Sequence, residues 1–331
     1  MDEQAKAAEK ATLLSEIKAL KKELAAARAH SEIIVGQLAA KSKPPPKTKS
    51  IRRASSLYVR AILSDTHGAH LDRDAWAACM ADLKGLDVRE VVLLGDHIEC
   101  SGFLAEHHIP GTLSQAEYSY AEDIDAANQW LDELQAACPH AEYHMLQGNH
   151  CQRVERWIMQ HSLAHNKDRQ LLLEALDPEF RLHLKERGIK FYRRDKFNDT
   201  CPERGTLQLG NCRFVHETST SINAARTALN LYSTNIVFGH SHRADISYSR
   251  KPGVGQIMAA NPGCLCTLTP VWQMTRSSIN NWTHGWACQL VNKKSGDFLH
   301  VNIPIIDGKS QGGLLSLTCT RHEKPRGKKN V

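Results

Sequence analysis

The sequence predicts an α/β fold, and three observations point to it. Short runs rich in Val, Ile and Leu alternate with amphipathic stretches at helical spacing. Glycine-containing loops follow several of those runs directly. Hydrophobic residues make up 41% and charged residues 24% of the 331, enough apolar material for one large domain with an appendage.

Residues 1–41 read as a coiled-coil helix preceding that domain. Leu13, Ile17, Leu20, Leu24, Ala27, Ser31, Ile34 and Leu38 fall at alternating four- and three-residue steps, which is a heptad seam. With Ile17 and Leu24 at a positions, Glu16 faces Lys21 and Glu23 faces Arg28 across a parallel pair, so a homodimer is expected. The same apolar face would also suit packing on the chain's own globular part; the matched charges favour self-association. Ala27 and Ser31 weaken the middle of the seam. Residues 42–56 contain KSKPPPKTKS and read as a Pro/Lys-rich linker, because consecutive prolines hold the backbone extended.

The domain itself is expected over residues 57–306. YVRAIL, EVVLL, YHML, RFVH and NIVF are its clearest strands, and DRDAWAACMADLKG, EDIDAANQWLDELQAA, CQRVERWIMQHSL and SINAARTALNLY its clearest helices. After NIVFGHSH the pattern turns to strand in ADISYSR, GQIMAAN, GWACQLVN and FLHVNI. SGFLAEHHIPGTLSQAEYS would form a lid or a wall, and Trp157, Trp272, Trp282 and Trp286 read as core. Residues 307–331 lack periodicity and are expected to be a basic, loosely ordered tail.

Composition excludes several classes. No apolar run is long enough for a membrane span, and MDEQAKAAEK lacks the apolar centre of a secretory signal, so a cytoplasmic protein is expected. The ten cysteines form no C-x-x-C pair, which argues for free buried thiols over a disulfide framework or a cysteine zinc site. The net charge of +6 is unevenly placed. Lys41, Lys43, Lys47, Lys49, Arg52 and Arg53 crowd the linker; Arg321, Lys324, Arg326, Lys328 and Lys329 crowd the tail. Such runs are either solvated or meet a polyanion such as nucleic acid.

The eighteen histidines are a surplus, and several stand beside Asp or Asn where strands end. Asp65 and His67 follow YVRAILS; Asp96 follows VREVVLLG; Asn149 and His150 follow HMLQG; His216 closes CRFVH; His240 and His242 follow NIVFG. Loops at the carboxyl ends of strands in an open α/β sheet converge on one crevice. Imidazole, carboxylate and amide oxygen together suit transition-metal or zinc-like divalent ions better than an all-oxygen calcium cage. Each fragment alone is weak; the order D-x-H, G-D, G-N-H, H, G-H-x-H with each at a strand end is strong.

SDTHG, GDHIE, GNHCQR, VHE and GHSHR resemble the five signature blocks of the calcineurin-like metallophosphoesterases, from about Tyr58 to His242. AANPGCLC through NWTHGWACQLV is similar to the closing strands of the branch often encoded by bacteriophages, which would place the protein in host cytoplasm. The resemblance implies a four-layer α/β/β/α sandwich of two mixed sheets flanked by helices. It implies two divalent ions, Mn first with Fe, Zn, Ni or Mg as the others. Asp65, His67 and His242 would hold one, Asn149, His216 and His240 the second, and Asp96 would bridge. His150 matches the histidine that contacts the phosphate and assists the leaving group. The reaction implied is phosphoester hydrolysis by metal-activated water; the basic linker and tail favour a phosphodiester such as nucleic acid as substrate. Protein or small-molecule phosphomonoesters are the alternative substrates, and a non-catalytic scaffold is the alternative of another class.

Two residues depart from the pattern. Glu217 stands where the family usually has glycine, and would either add a ligand or repel an anionic substrate. Glu99 replaces the usual Asp and is read as orienting a ligand or solvent. Arg153 and Arg156 share a helix face, either for phosphate contact or as a solvated face with Glu155. Arg243 has the same standing.

Overall fold

In the computed structural model the described residues are 56–101, 104, 118–161, 168–270 and 281–312. The expected coiled coil, nearly all of the linker, most of the 101–119 segment, Trp272, and the tail from residue 313 lie outside them.

Side-chain alternation builds the layers. In β1 (Leu57–Leu63) Val59, Ala61 and Leu63 face one side while Arg60 and Ile62 face the other; β2 (Val88–Leu93) repeats this with Val91 and Leu93 against Glu90 and Val92. Both faces are buried, as near-continuous apolar strands require. β3 (Glu142–Leu146) and β4 (Ile189–Tyr192) extend the sheet in parallel, and β10 (Gly285–Asn292), β11 (Phe298–Ile306) and β12 (Lys309–Ser310) extend it antiparallel beyond β1, in the order β12-β11-β10-β1-β2-β3-β4. The second sheet is β5-β6-β7-β9-β8, from β5 (Leu207–Leu209), β6 (Cys212–Val215), β7 (Ile236–Phe238), β8 (Asp245–Lys251) and β9 (Gly255–Asn261), with β6, β7 and β9 parallel.

Three apolar clusters fill the three gaps of a four-layer sandwich. One packs the outer face of the first sheet on α1 (Arg73–Lys84), α2 (Tyr120–Ala137) and α3 (Gln152–His161), through residues such as Trp76, Leu83, Trp130, Leu134, Val154 and Ile158. A second joins the sheets through Ile62, Val92, Leu94, Phe214, Val237 and Met258. The third seats α6 (Ala224–Tyr232) on the far face through Ala225, Ala228, Leu229, Ile236 and Phe238. The expected architecture is the one observed. Capping fixes where the helices begin: Asp72 accepts from Ala75 N at 2.9 Å, and Ser119 from Glu122 N at 3.3 Å.

The sheet interface also holds an ion pair. Arg60 is 1% exposed; its guanidinium meets Glu90, donates to Gln289 Oε1 at 2.7 Å, and lies over the Phe214 ring. Burial pushes the Glu90 carboxyl up, but His144 and Arg60 outweigh it and hold it below its ordinary value.

The sequence reading missed β4, β5, α4 (Asp168–Leu176), α5 (Pro178–Arg181) and β12. Pairing continues past the expected boundary at Ile306 because Asp307 and Gly308 both take positive φ (49° and 67°), the geometry of a two-residue hairpin turn, and return Lys309–Ser310 onto β11. Among the described residues no helix is long and apolar enough to cross a membrane. The nine cysteines among the described residues are all buried and free.

Candidate metal centre

Because β1, β2 and β3 run parallel in one sheet and β6 and β7 in the other, their carboxyl ends open onto the same edge. The loops there are laced together: Asp65 N donates to Gly95 O (3.2 Å), His67 N to Asp96 O (3.0 Å), Gly239 N to His216 O (2.9 Å) and Leu265 N to Asp65 O (3.2 Å). Two glycines are needed for close approach. A Cβ on Gly148 would lie 2.1 Å from Asp96 N, and one on Gly239 2.2 Å from Ser64 Oγ. Asp65, His67, Asp96, His240 and His242 all adopt positive φ between 49° and 68°, a backbone region that non-glycine residues occupy under strain.

The seven residues singled out as ligands fall into two adjoining groups. His242 Nε2 lies 3.1 Å from His67 Nε2 and 3.2 Å from Asp65 Oδ1. His216 Nε2 lies 2.9 Å from Asn149 Oδ1 and 3.1 Å from Asp96 Oδ2, with the His240 ring edge-on to it at 5.2 Å. Asp96 belongs to both groups, joining Asp65 and His67 on one side and His216 and His240 on the other. Its Oδ2 is buried and has no aligned hydrogen-bond donor, although His216 Nε2 is near. A buried carboxylate oxygen in that state is expensive unless a cation meets it. The donor set fits: neutral imidazoles, carboxylates and an amide oxygen converge, which suits borderline divalent ions.

The electrostatics agree with that composition. Burial lowers His67 despite Glu99 beside it, and burial with His216 lowers His240, so both imidazoles are neutral donors at pH 7. Burial alone would raise Asp96 and Glu99, but the surrounding histidines hold both well below the carboxylate range. His216 is opposed by burial and raised by Asp96.

The outward nitrogens of three of these histidines have partners. His67 Nδ1 meets Glu99 Oε2 at 2.6 Å, His216 Nδ1 meets Leu94 O at 3.1 Å, and His242 Nδ1 faces Cys266 Sγ at 4.0 Å. Such partners fix ring orientation and leave the inner nitrogen for a ligand bond. Glu99 therefore sits behind His67.

His150 stands apart. Its backbone N donates to Asp96 Oδ1 (2.9 Å) and its Nδ1 to Glu99 O (2.7 Å), while Nε2 lies 3.8 Å from Asp96 Oδ2. Burial would lower it, but Asp96 and Glu99 raise it to about 9; neutralising Asp96 with cations would remove part of that rise. Arg153 donates to Glu99 O and Cys100 O, each at 3.2 Å, and its Nη2 is 3.1 Å from His150 Nε2. Arg156 donates to Asn149 O at 3.3 Å. Glu155, on the same helix, pairs with Arg193 in a cluster with Asp177 and Glu179. Arg243 donates to Ser221 O on the rim. Glu217 pairs with Arg194 and approaches His240.

Several residues went unread in the sequence. Asp123 Oδ1 accepts from Ala69 N (3.0 Å) and Oδ2 from Glu99 N (2.9 Å), tying α2 to the first two loops; burial pushes its carboxyl up to about 6. His97 bridges Thr66 Oγ1 and Gly95 N. A cavity of about 170 Å³ over the centre is walled by His70, Cys266, Thr267 and Trp282 beside His67 and His150. Trp282, expected in the core, packs edge-on against His242 at 4.0 Å and faces this cavity; Trp286 is core as expected. The signal available was local: Cys266 and Trp282 bracket the closing-strand segment, and His70 follows His67 by three residues.

The fold and the site, with histidine, aspartate and asparagine donors gathered where two parallel strand sets end, are those of the metallophosphoesterase class. Residues 60–276 match the calcineurin-like phosphoesterase superfamily domain, and the chain belongs to that family. No curated protein matches it. Similar solved structures include a Vps29 single mutant from Entamoeba histolytica (11% identity, 76% of this chain and 96% of that one, TM-score 0.37). A metallophosphoesterase from Sphaerobacter thermophilus shares 14% identity over 74% and 88% of the two chains (TM-score 0.35). The nuclease MPE of Pseudomonas putida shares 14% identity over 73% and 87% (TM-score 0.29).

Proposed function

We propose that the protein hydrolyses phosphodiesters with two divalent ions, Mn first, one held by Asp65, His67 and His242 and one by Asn149, His216 and His240, with Asp96 shared. The observation that carries this reading is Asp96 Oδ2, buried and undonated between the two donor groups. Ions there would draw charge from phosphoryl oxygens and bring the pKa of a water towards neutrality. The chain's own residues do the rest. Glu99 and Leu94 O hold two imidazoles in register. His150 keeps one proton on Nδ1 through Glu99 O, and its Nε2, which here accepts from Arg153 Nη2, would carry a proton to the departing alkoxide once the phosphate takes over the arginine. Cys266, the thiol in the cavity wall, is pushed far above its ordinary pKa by burial and is a poor nucleophile; the attacking group proposed is water.

Nucleic acid is the favoured substrate because two basic runs flank the domain in sequence. The heptad seam supports a homodimer: the full chain should sediment as a dimer, and Ile17→Asp with Leu24→Asp as a monomer. The functional test is turnover of bis-p-nitrophenyl phosphate and of oligonucleotides with added Mn. Asp96→Ala and His240→Ala should abolish it. Wild-type turnover that survives exhaustive chelation would sink the proposal, and oligonucleotide binding insensitive to salt would sink the choice of substrate.

A further inference from the structure

His240 is the ligand-set histidine whose outward partner the family pattern does not supply, because Glu217 occupies a place usually taken by glycine. Glu217 Oε1 lies 3.7 Å from His240 Nε2, while Oε2 is engaged by Arg194 Nη2. Arg194 is itself anchored: its backbone N donates at 3.1 Å to Gln147 Oε1, two residues before Asn149. A Cβ on Gly205 would lie 2.9 Å from Arg194 Cα, so that glycine lets the chain close over it. On the other side of His240, the backbone N donates to Asp65 Oδ2 at 3.0 Å. Arg194, Glu217 and His240 thus form a row across the ends of β4, β6 and β7.

Resting on the two-ion reading above, we infer that Glu217, held by Arg194, is a positioning residue for His240. It stands 3.7 Å from the imidazole's Nε2, a charge contact that leaves Nδ1 for a ligand bond. Glu99 holds His67 more closely, at 2.6 Å from Nδ1; Glu217 is a looser counterpart from a different loop, on the opposite ring nitrogen. Glu217 is not itself a ligand, because Oε2 is engaged by Arg194 and neither oxygen enters the donor group of Asp96, His216 and His240. Nor does it present an unbalanced charge to an anionic substrate, since Arg194 offsets it. A carboxylate on the outward nitrogen raises the basicity of the inner one, and removing such a partner weakens metal affinity roughly 10–100-fold.

The test is calorimetric titration of the full chain with Mn alone, without substrate, alongside circular dichroism to verify folding. Wild type should take up two equivalents. Glu217→Ala should weaken one equivalent roughly 10–100-fold and leave the other unchanged. Arg194→Ala should weaken that same equivalent less, and the double variant should be no weaker than Glu217→Ala, because both act through one contact. Unchanged binding in Glu217→Ala, equal weakening of both equivalents, or additive losses in the double variant would overturn the inference. Complete loss of one equivalent would make Glu217 a ligand and overturn it too. Wild type that takes up no Mn sinks the two-ion reading along with it, whereas two wild-type sites with an unaffected Glu217→Ala sink this inference alone.

Discussion

Replacing Gly148 with alanine perturbs the centre without touching a ligand. The new Cβ would meet Asp96 N at 2.1 Å and Asp96 Oδ1 at 2.0 Å. Ordinary contact begins at 3.4 Å, so a backbone atom must retreat by about 1.3 Å, and it cannot do so by rotating a side chain. Asp96 is the carboxylate shared by the two donor groups, and its backbone O also accepts from His67 N. A displacement of ~1 Å at a reacting centre costs about 10²-fold, or about 2.7 kcal/mol of barrier. The expected outcome is therefore a fall of about 10²-fold in kcat/KM on bis-p-nitrophenyl phosphate with saturating Mn. Gly188→Ala is the control: nothing lies within 4 Å of its Cβ position, and the strain of its positive φ (69°) costs stability without touching a ligand, so turnover of the folded protein should match wild type. Wild-type turnover in Gly148→Ala, with Mn bound normally, would refute the placing of Asp96 at the centre of the chemistry.

Three further outcomes follow from the same geometry. His150→Asn should lower kcat about 10²–10⁴-fold while leaving Mn affinity intact, with the deficit shrinking as the leaving group becomes more acidic; a deficit blind to the leaving group would argue against proton donation. Glu90→Ala should destabilise the fold by about 3–5 kcal/mol in urea titration, because Arg60 is left charged and buried between the sheets; a loss under ~1 kcal/mol would mean the gap admits water. His300 is buried, and burial lowers it from 6.5 to about 4 although Asn302 opposes this. The unfolded chain then binds more protons there between those values, so its contribution is intact above pH 6.5 and declines as pH falls towards 4, by about 3 kcal/mol at most. Wild type should thus lose more stability than His300→Gln between pH 7 and 4.5; parallel pH profiles would contradict it.

What could be read beforehand was whatever is written locally. Asp65 and His67 stand two residues apart, and so do His240 and His242, each pair directly after an apolar run whose strand the structure contains. The layers were equally legible, since β1 and β2 carry apolar residues on both faces. The illegible part is made by residues distant in sequence. Cys266 reaches His242 only because the isolated bridge of Leu71 with Cys266 and the β9–β10 connection bring it back over the site. Asp123 looks like any acid in the first turn of a helix, yet it accepts backbone donors from two other loops. Glu155 reads as part of a solvated face with Arg153 and Arg156, but tertiary contact gives it to Arg193. Edge strands β4 and β5 are short and carry little periodicity.

The left-handed backbone at His67, His240 and His242 has a consequence for how this protein would respond to selection. Each of those histidines holds a conformation that glycine would occupy without strain, at a cost of roughly 1–2 kcal/mol. A library screened for heat tolerance alone would therefore enrich glycine or asparagine at these positions, raising the melting point while dismantling the centre. Thermal hardening would erase this site before it altered the three apolar layers beneath, so a melting temperature that rises while Mn uptake disappears is the trade these loops embody.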